Sequence, residues 1–213
     1  MWQRVAHVLR AAGQEVFTPS LTGLGERAHL ASSAVDLSTH IADVLGTLAC
    51  ERLSEVVLVG HSYGGMVVTG VADRAAERVR TLVYLDAFVP QPGQALRDLV
   101  PPRVRDAMPS EGWQAPPLPP QAQGMSDPAE LAWLEGRRGA QPLKTFTQPL
   151  ALEGRYRGQR VYVSCTGYSP SSFAPFAERA RNDPAWRYHE LPTHHYPQVS
   201  LPRETAGVLL NYA

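Results

Sequence analysis

Gly60-His61-Ser62-Tyr63-Gly64, a G-x-S-x-G run, is the stretch of this chain best suited to do chemistry. A serine hydroxyl is inert near neutral pH unless a base within hydrogen-bond reach takes its proton. Seven histidines are available: His7, His29, His40, His61, His189, His194 and His195. His7 and His40 fall within predicted helices, His29 in a loop and His189 in a predicted strand. His61 lies inside the serine turn, its side chain expected to point away from the hydroxyl. The pair His194-His195 follows the last predicted strand, in a loop before the final helix, and either ring is placed to serve as a base. An acid beside such a base would fix its tautomer and stabilise the imidazolium. Asp86 ends the apolar run Thr81–Leu85 and can either do this or cap the turn that follows. Glu178 and Asp183, on an exposed helix and its C-terminal end, are further from that role.

These groups need a frame. Val56-Val57-Leu58-Val59 reads as a buried strand leading into the serine turn. Met66, Val67, Val68, Val71 and Ala72 give the helix that leaves it. Strand, sharp turn and helix are the setting in which a serine is lifted above a sheet. The two flanking glycines are expected to be needed because the serine's backbone is strained and bulk on either side would clash. The helix aims its free N–H groups back at the turn, and the backbone N–H of Tyr63 is the expected donor to a developing oxyanion.

Elsewhere, Trp2, Val5, Val8, Leu9 and Ala12 have helical spacing, with Gly13 as terminator. Glu15–Pro19 reads as a short strand, Leu21–His29 as a Gly-containing loop and Ser38–Leu53 as an amphipathic helix. After the serine turn come strand Thr81–Leu85, strand Arg160–Cys165, helix Phe173–Arg181, strand Trp186–Leu191 and helix Thr205–Asn211. Strand and helix alternate, and the strands are continuous apolar runs. The expected class is therefore α/β, a mostly parallel central sheet with helices on both faces.

The rhythm breaks between about Val89 and Pro149. Nine of the 19 prolines lie between Pro90 and Pro120, so regular structure there must be short. Long irregular segments inside a domain are commonly lids. Met108, Trp113, Met125 and Trp133 could roof a pocket, and Leu131–Leu134 looks helical. The reading is a core of residues 1–88 and 150–213 with a proline-rich cap at 89–149; Trp113, Trp133 and His61 are candidate substrate-pocket residues.

Lys+Arg and Asp+Glu both number 20, and no basic stripe points to nucleic acid or an anionic membrane. Cys50 and Cys165 lack metal spacing and are expected to be buried small residues. With no signal peptide and no long apolar run, the expectation is a soluble, cytoplasmic protein with no metal and no cofactor. The length suits one domain.

GHSYGGMVVTGVADR (Gly60–Arg74), LVYLDAFVP (Leu82–Pro90), FTPSLTGLGERAHL (Phe17–Leu30) and Phe173–His195 together resemble bacterial α/β-hydrolases. They are similar to the branch that contains hydroxynitrile lyases and plant methylesterases. The resemblance covers nearly the whole chain except the proline-rich insertion. It implies an esterase-like fold with a cap after the sixth strand, and a Ser, carboxylate, His chain order. Relatives read Gly-His-Asp near the end, which places His195 on the histidine and His194 on the glycine. Many relatives carry their acid after the strand that here ends at Cys165. Thr166–Ser172 has no carboxylate, which leaves Asp86.

The implied activity is hydrolysis of a small carboxylic ester by Ser62, His195 and Asp86, the partner being a small-molecule ester and a homodimer left open. A hydroxynitrile lyase would need a lysine beside the histidine, where this chain has Tyr196. A non-catalytic or weakly active ligand-binding module is the third reading. It is motivated by the N-terminus: the strand and Gly-Trp-x-Trp motif expected just before the first helix are not in this sequence. The expectation is thus a truncated form, or a gap filled by rearrangement or by another chain. Loss of one oxyanion donor would cost about 10²–10³ in rate.

Overall fold

In the computed structural model, which describes residues 1–213, the expected alternation forms around four parallel strands. In chain order these are α1 (Gln3–Ala11), α2 (Leu37–Cys50), β1 (Val56–Ser62), α3 (Gly64–Arg74) and β2 (Val79–Ala87). The segment that follows holds only short pieces: α4 (Leu96–Leu99), α5 (Pro102–Asp106), β3 (Gln114–Ala115), α6 (Pro128–Leu134), β4 (Gln141–Pro142) and α7 (Lys144–Thr147). β3 and β4 form a two-residue antiparallel ladder of their own. The chain then returns through β5 (Gln159–Cys165), α8 (Ala174–Asn182), β6 (Trp186–Leu191), α9 (Pro197–Ser200) and α10 (Pro202–Leu210).

The main sheet has the order β1-β2-β5-β6, every pair parallel. Because side chains alternate across a strand, each central strand feeds two cores. Leu82 and Tyr84 of β2 and Tyr162 of β5 join the larger one, covered by Ile41 of α2, Val71 of α3 and Phe176 of α8. Val83, Leu85, Val161 and Val163 face the other way, onto Val5 of α1 and Ala206 and Leu209 of α10. Both faces are apolar for this reason, and the strands read as unbroken runs.

Helix ends are fixed locally. Asp36 caps α2 by accepting the Thr39 N–H at 2.8 Å, and the Thr39 hydroxyl side reaches back to the Asp36 N–H, a capping box. Asp127 caps α6 by accepting from Ala129 and Glu130.

Two expectations change. Glu15–Pro19 forms no strand; it pairs with no neighbour, and Phe17 is exposed. An extended segment becomes a strand only where another strand offers its backbone groups, and β1 pairs only with β2. Gln14–Thr18 and Val56–Val59 instead line one continuous cavity. Cys50, expected to be buried, is exposed at the end of α2, whereas Cys165 is buried; both are free thiols. No helix is long and apolar enough to cross a membrane.

Candidate active site

Ser62 ends β1 with φ +56°, in the left-handed region that non-glycine residues rarely adopt. The turn survives because its neighbours leave it room. A Cβ at Gly60 would lie 2.6 Å from Val68 Cγ2 and 2.7 Å from the Gly64 carbonyl oxygen. At Gly64, however, a Cβ would meet nothing within 4 Å. The second glycine the fold requires is Gly65, where a Cβ would fall 2.0 Å from the Phe88 carbonyl oxygen. The expectation that both flanking glycines are sterically needed is therefore corrected: Gly60 and Gly65 are the crowded positions.

Behind Ser62, Tyr63 is the N-cap residue of α3, its carbonyl taking the Met66 N–H at 2.9 Å. Its half-buried phenol donates to His40 Nδ1 at 2.8 Å, while His40 Nε2–H donates to the Thr22 carbonyl at 2.9 Å. Burial, the largest cause, pushes the Tyr63 phenol far above its ordinary range and lowers His40. Asp43 holds the other end of this brace, accepting from the Thr22 N–H and hydroxyl and from Arg27. The loop Leu21–His29 thus steadies the turn through Tyr63.

Asp86 owes its aim to a break in the ladder between β1 and β2. His61 pairs with Leu85 but Ser62 with Ala87, so Asp86 is the extra residue of a bulge, with φ +42°. Its carboxylate, 1% exposed, accepts the Cys165 N–H at 3.3 Å on Oδ1. On Oδ2 it accepts the Tyr168 hydroxyl and His195 Nδ1, each at 2.7 Å. Since a carboxylate only accepts, His195 carries its proton on Nδ1 and leaves Nε2 as an acceptor.

The His195 ring is itself 1% exposed, stacked on Phe173 with centroids 4.6 Å apart and planes 6° from parallel. His61 lies on it from another side, centroids 4.4 Å apart. His61 Nε2–H donates to the His195 carbonyl at 2.6 Å, and Gln198 Nε2 reaches His61 Nδ1 at 3.4 Å. Burial first, and then the neighbouring His195, drive the His61 pKa well below its ordinary value, so His61 is neutral. His194 turns away to Glu130 of α6 at 2.7 Å and accepts the Tyr196 N–H.

Ser62, His61, Tyr63 and His195 line the same cavity, about 1520 Å³ in volume. From 89–149, Leu96, Val100, Val104, Met108, Ala115 and Phe146 give it apolar walls. Trp113 and Trp133 are not among its lining residues: Trp113 is 41% exposed, and Trp133 is clasped between Arg4 and Arg137 at 4.7 and 4.5 Å. Tyr168 and Gln198 join this cluster without any local pattern that marks them. Their partners lie 82 and 137 positions away.

A serine at a strained turn and a buried, acid-paired imidazole thus line one cavity. The profile of the alpha/beta hydrolase family matches residues 1–208. The chain belongs to that family. It is 42% identical to the carbendazim hydrolyzing esterase of Nocardioides sp. strain SG-4G, over 98% of this chain and 92% of the relative. It is 26% identical to the pyrethroid hydrolase of Sphingobium wenxiniae, over all of this chain and 82% of that one. Among solved structures, an extracellular alpha/beta-hydrolase from a Paenibacillus species superposes with a TM-score of 0.83. The match spans all of this chain and 93% of that protein at 21% identity, a likeness of fold. This alpha/beta hydrolase is a carboxylic ester hydrolase, as the family and its esterase relatives show.

Proposed function

We propose that the chain cleaves small carboxylic esters through an acyl-enzyme on Ser62. The observation that carries this reading is the buried hydrogen bond from His195 Nδ1 to Asp86 at 2.7 Å, which leaves Nε2 as a base beside the cavity that Ser62 lines. Ser62 Oγ attacks the ester carbonyl carbon as its proton passes to His195 Nε2. The Tyr63 N–H steadies the oxyanion, and Asp86 stabilises the imidazolium. Collapse breaks the C–O bond, and the alkoxide leaves with the proton from Nε2. Water then attacks the acyl carbon, gives one proton to Nε2, and the acid departs as Ser62 is reprotonated.

Residues 89–149 act as a cap in this reading. Gln123 supports it: its carbonyl takes the His195 N–H at 3.2 Å, and its side chain takes the Tyr196 hydroxyl. The apolar cap walls favour an ester with an aromatic or medium aliphatic part, and the relative's name makes carbendazim a substrate to try first. The test is cleavage of p-nitrophenyl acetate and labelling by a fluorophosphonate. Ser62→Ala should abolish both; equal rates in the two proteins would overturn the assignment.

A further inference from the structure

In the loop after β5, where no carboxylate stands, Tyr168 gives its hydroxyl proton to Asp86 Oδ2 at 2.7 Å. That oxygen is the one His195 Nδ1 also contacts. Behind the phenol, Ser171 Oγ donates to the Tyr168 oxygen at 3.0 Å and accepts the Phe173 N–H at 3.1 Å. Because the carboxylate can only accept, every proton in this chain has one direction: Phe173 N–H to Ser171, Ser171 to Tyr168, Tyr168 to Asp86. Donors aligned head to tail polarise one another.

We propose that Tyr168, with Ser171 behind it, is a positioning residue that sets how tightly the Asp86–His195 pair holds a proton. This rests on the catalytic reading of that pair. A hydrogen bond to the ionised carboxylate favours its charged form. Without it the carboxylate attracts a proton more strongly, directly or through the imidazolium it faces. The pair titrates as a unit, so the direction is the same whichever ring or carboxyl takes the proton. Tyr168 stays a donor throughout, since burial and then the Asp86 charge hold its phenol far above the ordinary range.

The other groups around the pair leave this task to Tyr168. From β5, Cys165 and Tyr162 are held protonated chiefly by burial and next by Asp86. From β1, His61 is neutral. From the loop after β6, the Tyr196 ring lies 5.1 Å from His195, but its hydroxyl is engaged by Arg138 and Gln123. His194 is turned to Glu130. Tyr168 is thus the side-chain donor on Asp86 besides His195 itself.

Tyr168→Phe keeps the ring beside His195 and deletes the donor; Ser171→Ala leaves the ring and weakens the relay. Two readouts apply: the pH profile of kcat/KM on p-nitrophenyl acetate, and NMR titration of the His195 imidazole. In Tyr168→Phe both the acidic limb and the imidazole titration should move up by about 1 pH unit, the scale of one hydrogen bond to a charged group. Activity should then fall further at pH 6 than at pH 8.5, by a factor of up to about ten. Ser171→Ala should move both the same way by a few tenths of a unit, and it decides the matter if Tyr168→Phe does not fold. A uniform loss of activity with neither curve moved, or a downward shift, overturns the proposal. The imidazole titration does not depend on turnover. A protein whose Ser62→Ala variant remained active would sink the ester mechanism while this titration still judged Tyr168.

Discussion

His195 is fixed at its two faces, its edge and its backbone by groups from four parts of the chain. Phe173 stacks on one face, His61 lies against another, Asp86 holds Nδ1, and the main-chain N–H and carbonyl go to Gln123 and His61. A ring so held has its tautomer dictated by Asp86 alone. Asp86→Asn replaces an acceptor with an amide of the same shape, which can present a donor to Nδ1. The imidazole would then keep its proton on Nε2, where it can take none from Ser62. Substitution of this kind is expected to lower kcat by about 10⁴ with little change in KM. Steady-state kinetics and the rate of fluorophosphonate labelling check it, and a loss under tenfold would show that the acid is elsewhere. Little of this enclosure was legible in the sequence. Asp86 stood out because an aspartate ending an apolar strand is conspicuous. Tyr168 did not, because a loop tyrosine announces nothing until the fold brings β2 beneath it.

The elements themselves were easier to read where pattern and burial agree. Trp186–Leu191 forms over the residues expected; β1 starts at Val56 as expected and runs on to Ser62, β2 extends past Thr81–Leu85 at both ends, and β5 begins one residue early at Gln159. Glu15–Pro19 has the same local preference but lacks a strand to pair with, a condition that no local pattern encodes. The serine turn shows the same division between local and distant causes. G-x-S-x-G is visible as a string, yet the crowding at Gly65 comes from Phe88, just past the end of β2. Gly65→Ala should therefore push β2 and α3 apart and destabilise the protein by about 3 kcal/mol, an overpacking cost. At this chain length that lowers Tm by about 10 °C. Gly64→Ala, with open space around its Cβ, should leave Tm within about 2 °C, since surface-like substitutions stay near 0.5 kcal/mol. Calorimetry of the two variants separates them, and equal Tm losses would contradict the packing described.

Over the whole molecule, two neutral histidines, His40 buried and His61 half-buried, brace the serine turn. His40 ties α2 to Tyr63, and His61 ties β1 to the loop after β6. Burial is the chief cause that lowers both below the ordinary imidazole value. As pH falls through about 6.5 the unfolded chain takes up a proton on each, while the folded chain does not. Protons bound by the unfolded state alone favour unfolding, so the contribution of these two rings is full above about pH 6.5 and declines below it. While both rings stay neutral in the fold, the slope is about 1.4 kcal/mol per pH unit for each histidine. The lowered carboxylates, Asp43 and Glu26, have ordinary values of 3.8 and 4.5 and add to the loss only at lower pH. Urea unfolding between about pH 5 and 8 should show a plateau at the upper end and a decline toward the lower. In His61→Gln, which keeps an amide donor for the His195 carbonyl and removes the titrating ring, the decline should become shallower by roughly a third to a half, since burial lowers His40 and, less fully enclosed, His189 as well. An unfolding free energy flat from pH 8 to pH 5 would mean that neither ring is held neutral by the fold, and the bracing of the serine turn from α2 and β1 would have to be abandoned.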